Sequence, residues 1–404
     1  MSAPSFHVTL VANYLPDEQE SMQRYAALLR QVLEERGDHV EVLRPPVIFG
    51  RLKRSGQGIG KWLGYLDKFI LFPFMLRAHI WRRRLAMKAQ GEKGGFLVHV
   101  CDHSNAMYTR WLKDVPHLVT CHDVLAIESA LGLIPEHRTR WSGRVLQRWI
   151  LGGLRRARQV VCVSAETRRH LLALAPELEP RCTIIENALQ YPFSPMPPEE
   201  ARGHLKALGL DGELGLETKR FIFHVGGNQW YKNREGLLRI FARFCAAEPE
   251  LVRTCSLKLV MAGKSLTAEM LQFAEREGIA GKILLPGTVS DEQLRAFYSR
   301  AAVLLFPSLQ EGFGWPLVEA QACGCPVITS ERSPMKEVAG PAAFLAHPEE
   351  ESDFVARLRE ALTETPELRK LRKKEGQHHA QAFTPSVFTR RTVETYALLI
   401  KSAE

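Results

Sequence analysis

The sequence predicts an α/β protein built from two doubly wound domains in tandem. Short apolar runs that end in small or polar residues alternate with helical stretches through most of the chain. This alternation predicts parallel sheets with helices on both faces. The chain has 404 residues, which is long for a single hydrophobic core. Between Leu189 and Glu200 lie four prolines, which indicates a linker between the domains.

In the first domain, FHVTLV predicts the first strand and a helical pattern follows over Gln19–Arg36, ending at Gly37. The further strands predicted there are HVEVLRP, FLVHVCD, HLVTCHD and QVVCVSA. After the linker the predicted strands are FIFHVGG, LKLVMAG, KILLPGT, VLLFPS and PVITS, and FTPSVFTRRTVETYALLIKSAE predicts a terminal helix. We therefore assign residues 1–192 to the first domain, 193–382 to the second and 383–404 to the terminal helix.

Charge is concentrated in one segment. The net charge is +9, and Arg51–Lys93 alone carries eleven Lys and Arg against two acidic residues. Its apolar run, Phe69–Leu76, is too short to span a bilayer, which needs about 20 residues. Two interpretations stay open for this segment. It is either a helix lying on an anionic membrane surface or an internal amphipathic helix with a solvated basic face.

The cysteines and the N-terminal residues indicate where the protein is found. None of the eight cysteines forms a CxxC pair, which is typical of a reducing compartment. The first residues, MSAPSFHVTLVANYLP, lack the basic start and long apolar run of a signal peptide. We expect a cytoplasmic protein with peripheral contact at the inner membrane face. No recognisable nucleic-acid-binding module accompanies the basic charge, so we expect no nucleic-acid partner.

The stretch PSLQEGFGWPLVEAQACGCP holds two glutamates, Glu311 in a glycine-rich turn and Glu319 in the helix that follows. Pro316 is expected at the first helical position. A helix N-terminus offers free N–H groups to a phosphate, and each carboxylate accepts hydrogen bonds from hydroxyls. A ligand with hydroxyl-rich groups on both sides of a diphosphate is a nucleotide sugar. The alternative is an ordinary loop acid and an ordinary acid in the first helical turn.

The run from Leu284 to Pro348 resembles the donor-binding half of the family 4 retaining glycosyltransferases, through EGFG and the following PLVEA. The resemblance implies the GT-B architecture, two Rossmann-like domains facing a cleft, with the acceptor on the first and the donor on the second. It implies that Glu311 binds the donor sugar and supports charge at the reacting carbon, and that Glu319 holds the ribose hydroxyls. The backbone lining the sugar would be that of Gly312, Phe313 and Gly314. The amides meeting the diphosphate would be those of Leu317 and Val318, and the strip packing on the base would include Gly287 and Val289.

A second segment, HVGGNQWYKN, also matches the family and implies that Lys232 binds the diphosphate. Many relatives carry an arginine after the first glycine, where this chain has Gly227 and Asn228. Phosphate neutralisation would then rest more on Lys232, or be shared with Lys264. Relatives also carry a glycine pair after the first strand, whereas no glycine occurs from Ser2 through Arg36. Either the backbone approaches the donor less closely there, or Gln19–Ser21 supplies a helix N-terminus instead.

In the first domain the resemblance implies that His122, at a strand end, acts on the donor sugar as a second catalytic residue. The strand-end residues expected to line the acceptor pocket are Asp102, His103, Asn105 and Asp123.

The predicted function is transfer of a hexose-type sugar, with retention, from a UDP-, GDP- or ADP-linked donor to a glycan or lipid-linked acceptor. No cofactor is expected. No Asp-x-Asp occurs in the chain, so we also expect no metal. Two alternatives remain: a nucleotide-sugar epimerase or phosphorylase on the same scaffold, and a non-catalytic carbohydrate-binding protein. Donor base, sugar and acceptor are not set by the residues.

Overall fold

The computed structural model describes residues 5–52, 59–90, 95–134, 137, 139–214 and 220–402. These residues form two compact units. Unit 1 comprises the chain up to Gln190 together with Pro385–Glu404, and unit 2 comprises Tyr191–Thr384. Each unit contains one six-stranded sheet in which the neighbouring strands are parallel. The predicted fold class is confirmed, since helices accompany both parallel sheets as in two Rossmann-like domains.

Unit 1 has the sheet order β2-β1-β3-β4-β5-β6. Its strands are β1 (Phe6–Val11), β2 (His39–Leu43), β3 (Gly95–Val100), β4 (His117–Cys121), β5 (Gln159–Cys162) and β6 (Cys182–Ile184). Its helices are α1 (Glu20–Arg36), α2 (Ile59–Leu66), α3 (Phe72–Gln90), α4 (Leu125–Leu131), α5 (Trp141–Arg156), α6 (Ala165–Leu174) and, from the end of the chain, α17 (Pro385–Lys401). A π-helical turn, Asp67–Leu71, joins α2 to α3.

Unit 2 has the sheet order β12-β11-β10-β7-β8-β9. Its strands are β7 (Phe221–Gly226), β8 (Lys258–Gly263), β9 (Ile283–Gly287), β10 (Val303–Phe306), β11 (Val327–Ser330) and β12 (Phe344–Ala346). Its helices are α7 (Pro198–Ala207), α8 (Asp211–Leu214), α9 (Arg234–Ala247), α10 (Pro249–Thr254), α11 (Ala268–Arg276), α12 (Asp291–Arg300), α13 (Trp315–Ala322), α14 (Met335–Ala339), α15 (Glu351–Thr363) and α16 (Pro366–Ala380).

Two local details differ from the sequence-based expectations. Strands β6 and β12 were not predicted, because each has only three residues and shows no alternation. Helix α13 begins at Trp315, so the prediction that Pro316 occupies the first helical position is wrong by one residue. The reason is Gly314, whose φ of 101° is left-handed and places the helix start directly after it.

Each sheet has a topological switch point, where consecutive strands change from one side of the first strand to the other. In unit 1 it lies between β1 and β3, and in unit 2 between β7 and β10. Ligands of open α/β sheets bind beyond the carboxyl ends of the strands at such points. The residues directly after β1, β3, β7 and β10 are therefore the first to inspect for a site.

The basic segment 51–93 is described in part, since residues 53–58 and 91–93 lie outside the described residues. One face of α3 packs in the core of unit 1 through Phe72, Leu76 and Ile80. Its opposite face is exposed, with Phe74 73% and Trp81 64% accessible. Across the described ranges, no helix combines the length and the apolar character needed to cross a bilayer.

Helix α17 completes the core of unit 1 although it is the last element of the chain. The Tyr396 hydroxyl is hydrogen bonded to His99 Nδ1 at 2.6 Å, and His99 Nε2 lies 2.7 Å from Thr120 Oγ1. Burial lowers the pKa of His99 to about 3, so the imidazole is neutral at physiological pH. The Tyr396 ring also meets Phe6 edge-on at 6.0 Å. A buried polar network thus fixes α17 on β3 and β4.

We expect Tyr396→Phe to lower the free energy of unfolding by about 1–3 kcal/mol, because it leaves His99 Nδ1 buried without a partner while keeping the ring. Urea unfolding of the full chain measures the change. Leu398→Ala, at a position 69% exposed on the same helix, is the control and should change stability by less than about 0.5 kcal/mol. Equal effects of the two substitutions would contradict the role of the network.

Candidate functional site

The turn between β10 and α13 brings Glu311 to the switch point of unit 2. Gly314 closes this turn with a left-handed φ of 101°. The turn favours glycine at this position on conformational grounds, since other residues rarely adopt such a φ. The Phe313 side chain is buried and meets the rings of Trp315 and Phe383 edge-on, both at 5.7 Å. The packing of the Phe313 side chain thus fixes the backbone of this turn.

Lys232 reaches Glu311 from the turn that follows β7. Two hydrogen bonds tie the turns together: Leu309 N donates to Tyr231 O at 2.8 Å, and Asn233 Nδ2 donates to Pro307 O at 3.0 Å. Lys232 Nζ then donates to both carboxylate oxygens of Glu311 at 2.8 Å. The side chains are 20% and 7% exposed, so this ion pair is largely desolvated. The structure brings these two predicted residues together at the switch point.

Two glycines at the ends of neighbouring strands lie beside the Lys232–Glu311 pair, and we call them the glycine floor. Gly226 and Gly263 stand opposite each other at the carboxyl ends of β7 and β8. Gly263 has a φ of 105°, and a Cβ there would meet the Gly226 carbonyl oxygen at 2.5 Å. A side chain at Gly263 is therefore excluded by the backbone of the neighbouring strand. A surface without side chains next to a lysine is typical of a phosphate site, because backbone groups can approach the ligand.

Arg234 is a residue that sequence reasoning missed. It is 2% exposed, and its Nη1 donates to Asn228 Oδ1 at 2.5 Å and to Lys264 O at 2.7 Å. Its Nε and Nη2 are buried without a hydrogen-bond partner, and no carboxylate of the described residues forms an ion pair with it. The expected arginine after the first glycine is absent, but a guanidinium two residues after Lys232 holds Asn228 instead. The Lys264 side chain itself is exposed.

Glu319 is buried in α13 and held by α12. The Tyr298 hydroxyl donates to Glu319 Oε2 at 2.9 Å. Burial raises the pKa of Tyr298 well above its ordinary value, and the neighbouring Glu319 carboxylate raises it further. Tyr298 therefore stays protonated and can only donate to that oxygen. The role of Glu319 towards a ribose stays a prediction.

The remaining predicted donor residues show mixed geometry. The Leu317 N–H donates to Gly314 O at 3.1 Å, so this amide is already engaged within the chain. Val318 is buried in the same helix. Gly287 ends β9 with a left-handed φ of 75°, and Val289 is half-buried in the turn that follows. Both lie at the carboxyl edge of the sheet, where the base-binding strip was expected.

In unit 1 a polar cluster occupies the corresponding switch point. Asn13 follows β1, and its Nδ2 donates to Asp102 Oδ2 at 2.5 Å, after β3. Asn105 Nδ2 donates to Asn13 Oδ1 at 3.2 Å, and His103 Nδ1 lies 3.2 Å from Asp102 Oδ1. Asn13 was not predicted, although its position directly after the first strand was the available signal. It also donates to Gln19, the residue before α1, which was expected to take the place of a glycine pair.

His122 follows β4 and is neutral. Its Nε2 lies 2.9 Å from the Cys101 carbonyl oxygen, which can only accept, so Nε2 carries the proton. Its Nδ1 carries no proton in this neutral form, and it is a buried acceptor without a hydrogen-bond partner. Burial lowers the pKa of His122, which favours this neutral form. The predicted neighbour Asp123 instead accepts a hydrogen bond from Leu125 N at 3.0 Å and starts α4.

No group of three or more His, Cys, Asp or Glu side chains in the described part of the chain is placed to hold a metal ion.

Comparisons with known proteins point to one class of enzyme. Residues 211–379 match the family model "Glycosyl transferases group 1", and residues 22–190 match "Glycosyltransferase Family 4". The O-antigen chain mannosyltransferase B of Escherichia coli is 25% identical over 284 residues, which are 70% of each chain. An MMP alpha-(1->4)-mannosyltransferase of Mycolicibacterium hassiacum is 30% identical over 202 residues, and this match spans 48% of the present chain and 47% of that protein.

Solved structures match over nearly the whole chain. HepE of Anabaena, in complex with UDP and glucose, has a TM-score of 0.67 at 16% identity and covers 97% of this chain and 99% of its own. Sucrose-phosphate synthase of Thermosynechococcus elongatus has a TM-score of 0.69 at 18% identity and covers 98% and 100%. At such identities these likenesses show the fold. With the family models and the mannosyltransferase relatives, they support a glycosyltransferase of the GT-B type.

The buried His224, which lies beneath the glycine floor, generates a prediction on pH. Its Nδ1 is bonded to Leu305 O at 3.0 Å, and burial lowers its pKa to about 3. The unfolded chain protonates this group below about pH 6.5 and the folded chain does not. Stability must therefore fall as pH decreases from about 6.5 to about 3, by up to about 1.4 kcal/mol per pH unit for this group.

His224→Asn keeps a donor for Leu305 O but removes the titration. We expect a shallower loss of unfolding free energy between these pH values, measured by urea unfolding at several pH. His378→Asn, at an exposed histidine of the same unit, is the control and should leave the slope unchanged. Parallel slopes for the His224 variant and the wild type would contradict the assignment.

Proposed function

We propose that this protein is a retaining glycosyltransferase that moves a hexose-type sugar from a nucleotide sugar to a glycan or lipid-linked acceptor without a metal ion. The observation that carries the proposal is the Lys232–Glu311 pair at the switch point of unit 2. A desolvated lysine beside a glycine floor suits a diphosphate, and a carboxylate next to it suits sugar hydroxyls.

In the Lys232–Glu311 pair, the two charges of the proposed binding site compensate each other. Before the donor binds, each charge satisfies the other, which avoids an isolated charge in a poorly hydrated turn. A bound diphosphate would offer Lys232 a second anion, and sugar hydroxyls would offer Glu311 new donors. We propose that Lys232 offsets the negative charge that grows on the leaving phosphate. The buried Arg234 adds positive potential behind Asn228.

The proposed mechanism keeps the anomeric configuration through attack on the face from which the diphosphate leaves. The departing phosphate oxygen takes the proton of the acceptor hydroxyl while the new glycosidic bond forms, so no side-chain base is required. Glu311 supports the positive charge at the reacting carbon. His122, with an acceptor nitrogen free of partners, is proposed as the second residue acting on the sugar.

The donor and acceptor classes rest on the relatives. Structures similar to this one were solved with UDP, and with UDP-glucose, bound. The relatives matched in sequence include several mannosyltransferases, one of them named for an O-antigen chain. We therefore propose a GDP-, UDP- or ADP-linked hexose as the donor. Mannosyl donors are the first to test. A peripheral position at a membrane surface, through residues 51–93, belongs to the same proposal.

Two substitutions separate binding from transfer. Lys232→Met should weaken the binding of nucleoside diphosphates by about 10- to 100-fold, because a charge-assisted hydrogen bond is lost. Glu311→Gln should keep that binding but lower sugar transfer by about 100- to 1,000-fold. Calorimetry with GDP, UDP and ADP measures the first, and radiolabelled hexose transfer to lipid and glycan extracts measures the second.

Lys370→Met, at an exposed lysine of the same unit, is the matched control and should change neither quantity. Unchanged transfer by the Glu311 variant would contradict the role of Glu311. Sugar or diphosphate binding without any transfer by the wild type would favour a non-catalytic carbohydrate-binding protein. A new sugar made from the donor alone, without any acceptor, would identify an epimerase.

We expect transfer to continue in EDTA, because Lys232 supplies the charge that a metal would otherwise supply. Activity with and without excess EDTA, followed by added Mg²⁺, measures this. Activity that is abolished by EDTA and restored by Mg²⁺ would contradict the metal-free mechanism.

A further inference from the structure

Helix α3 presents an apolar stripe away from the core. On the face opposite Phe72, Leu76 and Ile80, side chains follow at helical spacing and are widely exposed. The exposed fractions are 55% for Ile70 in the preceding turn, 73% for Phe74, 64% for Trp81 and 48% for Leu85. Large apolar side chains seldom line up on a solvated face, so this stripe indicates a binding surface.

Helix α5 carries a second stripe of the same kind. Trp141 is 75% and Val145 is 55% exposed, and Arg144 and Arg148 are exposed beside them. The opposite face of α5 is buried through Ile150 and Leu154. The sequence alone did not single out this helix, because its four arginines lie outside the segment Arg51–Lys93, whose net charge equals that of the whole chain.

The turn that precedes α3 contacts α5 in unit 1. The rings of Phe69 and Trp149 are 5.2 Å apart. Ile70 and Arg148, which belong to the exposed stripes, are the chain neighbours of these two rings. The exposed stripes therefore flank one contact, and we call them together the α3–α5 face.

The charge of this face has one sign. Helix α3 contains five Lys and Arg and helix α5 contains four Arg, whereas neither contains an acidic residue. The acidic side chains that approach from other elements are at least partly solvated. Glu41 of β2 lies 3.8 Å from Arg83 and 3.3 Å from His79. Asp114 lies 3.9 Å from Arg77, and Glu177 lies 3.0 Å from Arg155. The face as a whole remains strongly positive.

We propose that the α3–α5 face docks on an anionic lipid surface, with Trp81 and Trp141 inserted at the level of the headgroups. Exposed tryptophans suit the membrane interface, since their rings are apolar with one polar edge, and arginines attract anionic headgroups. A nucleic acid would use the cations but not Ile70 or Leu85. The inference deepens the proposed function, because it places the acceptor on a membrane.

The experiment measures flotation of the full chain with vesicles, in the absence of any sugar donor. We expect binding to vesicles of phosphatidylglycerol and phosphatidylcholine, little binding to phosphatidylcholine alone, and release by high salt. The double variant Trp81→Ala/Trp141→Ala should weaken binding at least about tenfold. Leu368→Ala/Leu398→Ala, at positions 55% and 69% exposed on other helices, is the matched control and should bind as the wild type does.

A charge test compares the arginines of α5 with exposed arginines of unit 2. Arg144→Glu/Arg148→Glu should weaken binding to the anionic vesicles, whereas Arg253→Glu/Arg276→Glu, at exposed arginines of unit 2, should do so far less. The proposal would be overturned if the wild type ignored anionic vesicles, or if the α5 variants bound as the wild type does. A dimer that the tryptophan variant dissociates would also overturn it and assign the face to a second copy.

Vesicle binding does not depend on transfer. Binding without any transfer activity would contradict the proposed transferase activity and leave the α3–α5 face standing. Transfer without vesicle binding would contradict the α3–α5 face and the membrane position, and leave the transferase activity standing.

Discussion

The adjacency of β7 and β10 is the constraint on which the site in unit 2 depends. Because the chain builds one side of the sheet with β8 and β9 and then continues on the other side with β10, two turns meet at the same edge. The Asn233 side chain donates to Pro307 O and the Leu309 N–H donates to Tyr231 O, so the two turns are held together and Lys232 lies close to Glu311. The ion pair is therefore a product of topology, and it is largely desolvated.

Unit 1 uses the same topology with different chemistry. The turns after β1 and β3 meet through Asn13 and Asp102, and the neutral His122 follows on the next strand. Amide, carboxylate and neutral imidazole groups suit uncharged hydroxyls, whereas the lysine and arginine of unit 2 suit phosphate. The two switch points thus differ in the charge of their side chains, which accords with the proposed donor site in unit 2 and acceptor site in unit 1.

Strand identity and strand ends could be predicted from the sequence because a buried parallel strand is a short apolar run with a polar residue after it. Helix α1 was predictable for a similar local reason, since Gly37 adopts the left-handed conformation that ends it. The contact between Lys232 and Glu311, 79 residues apart, could not be derived from spacing, because it depends on which strands lie side by side. The burial of Arg234 could not be predicted for another reason. An arginine at the start of a helix is usually solvated, and only the packing of the structure shows that this one is buried.

Helix α17 has a consequence for how the protein is made. It belongs to unit 1, but the ribosome synthesises it only after the whole of unit 2. Unit 2 is a continuous stretch and can fold as soon as it emerges, while His99 and Phe6 still lack the side chain of Tyr396. The core of the first unit is therefore completed only after the whole of the second unit has been synthesised.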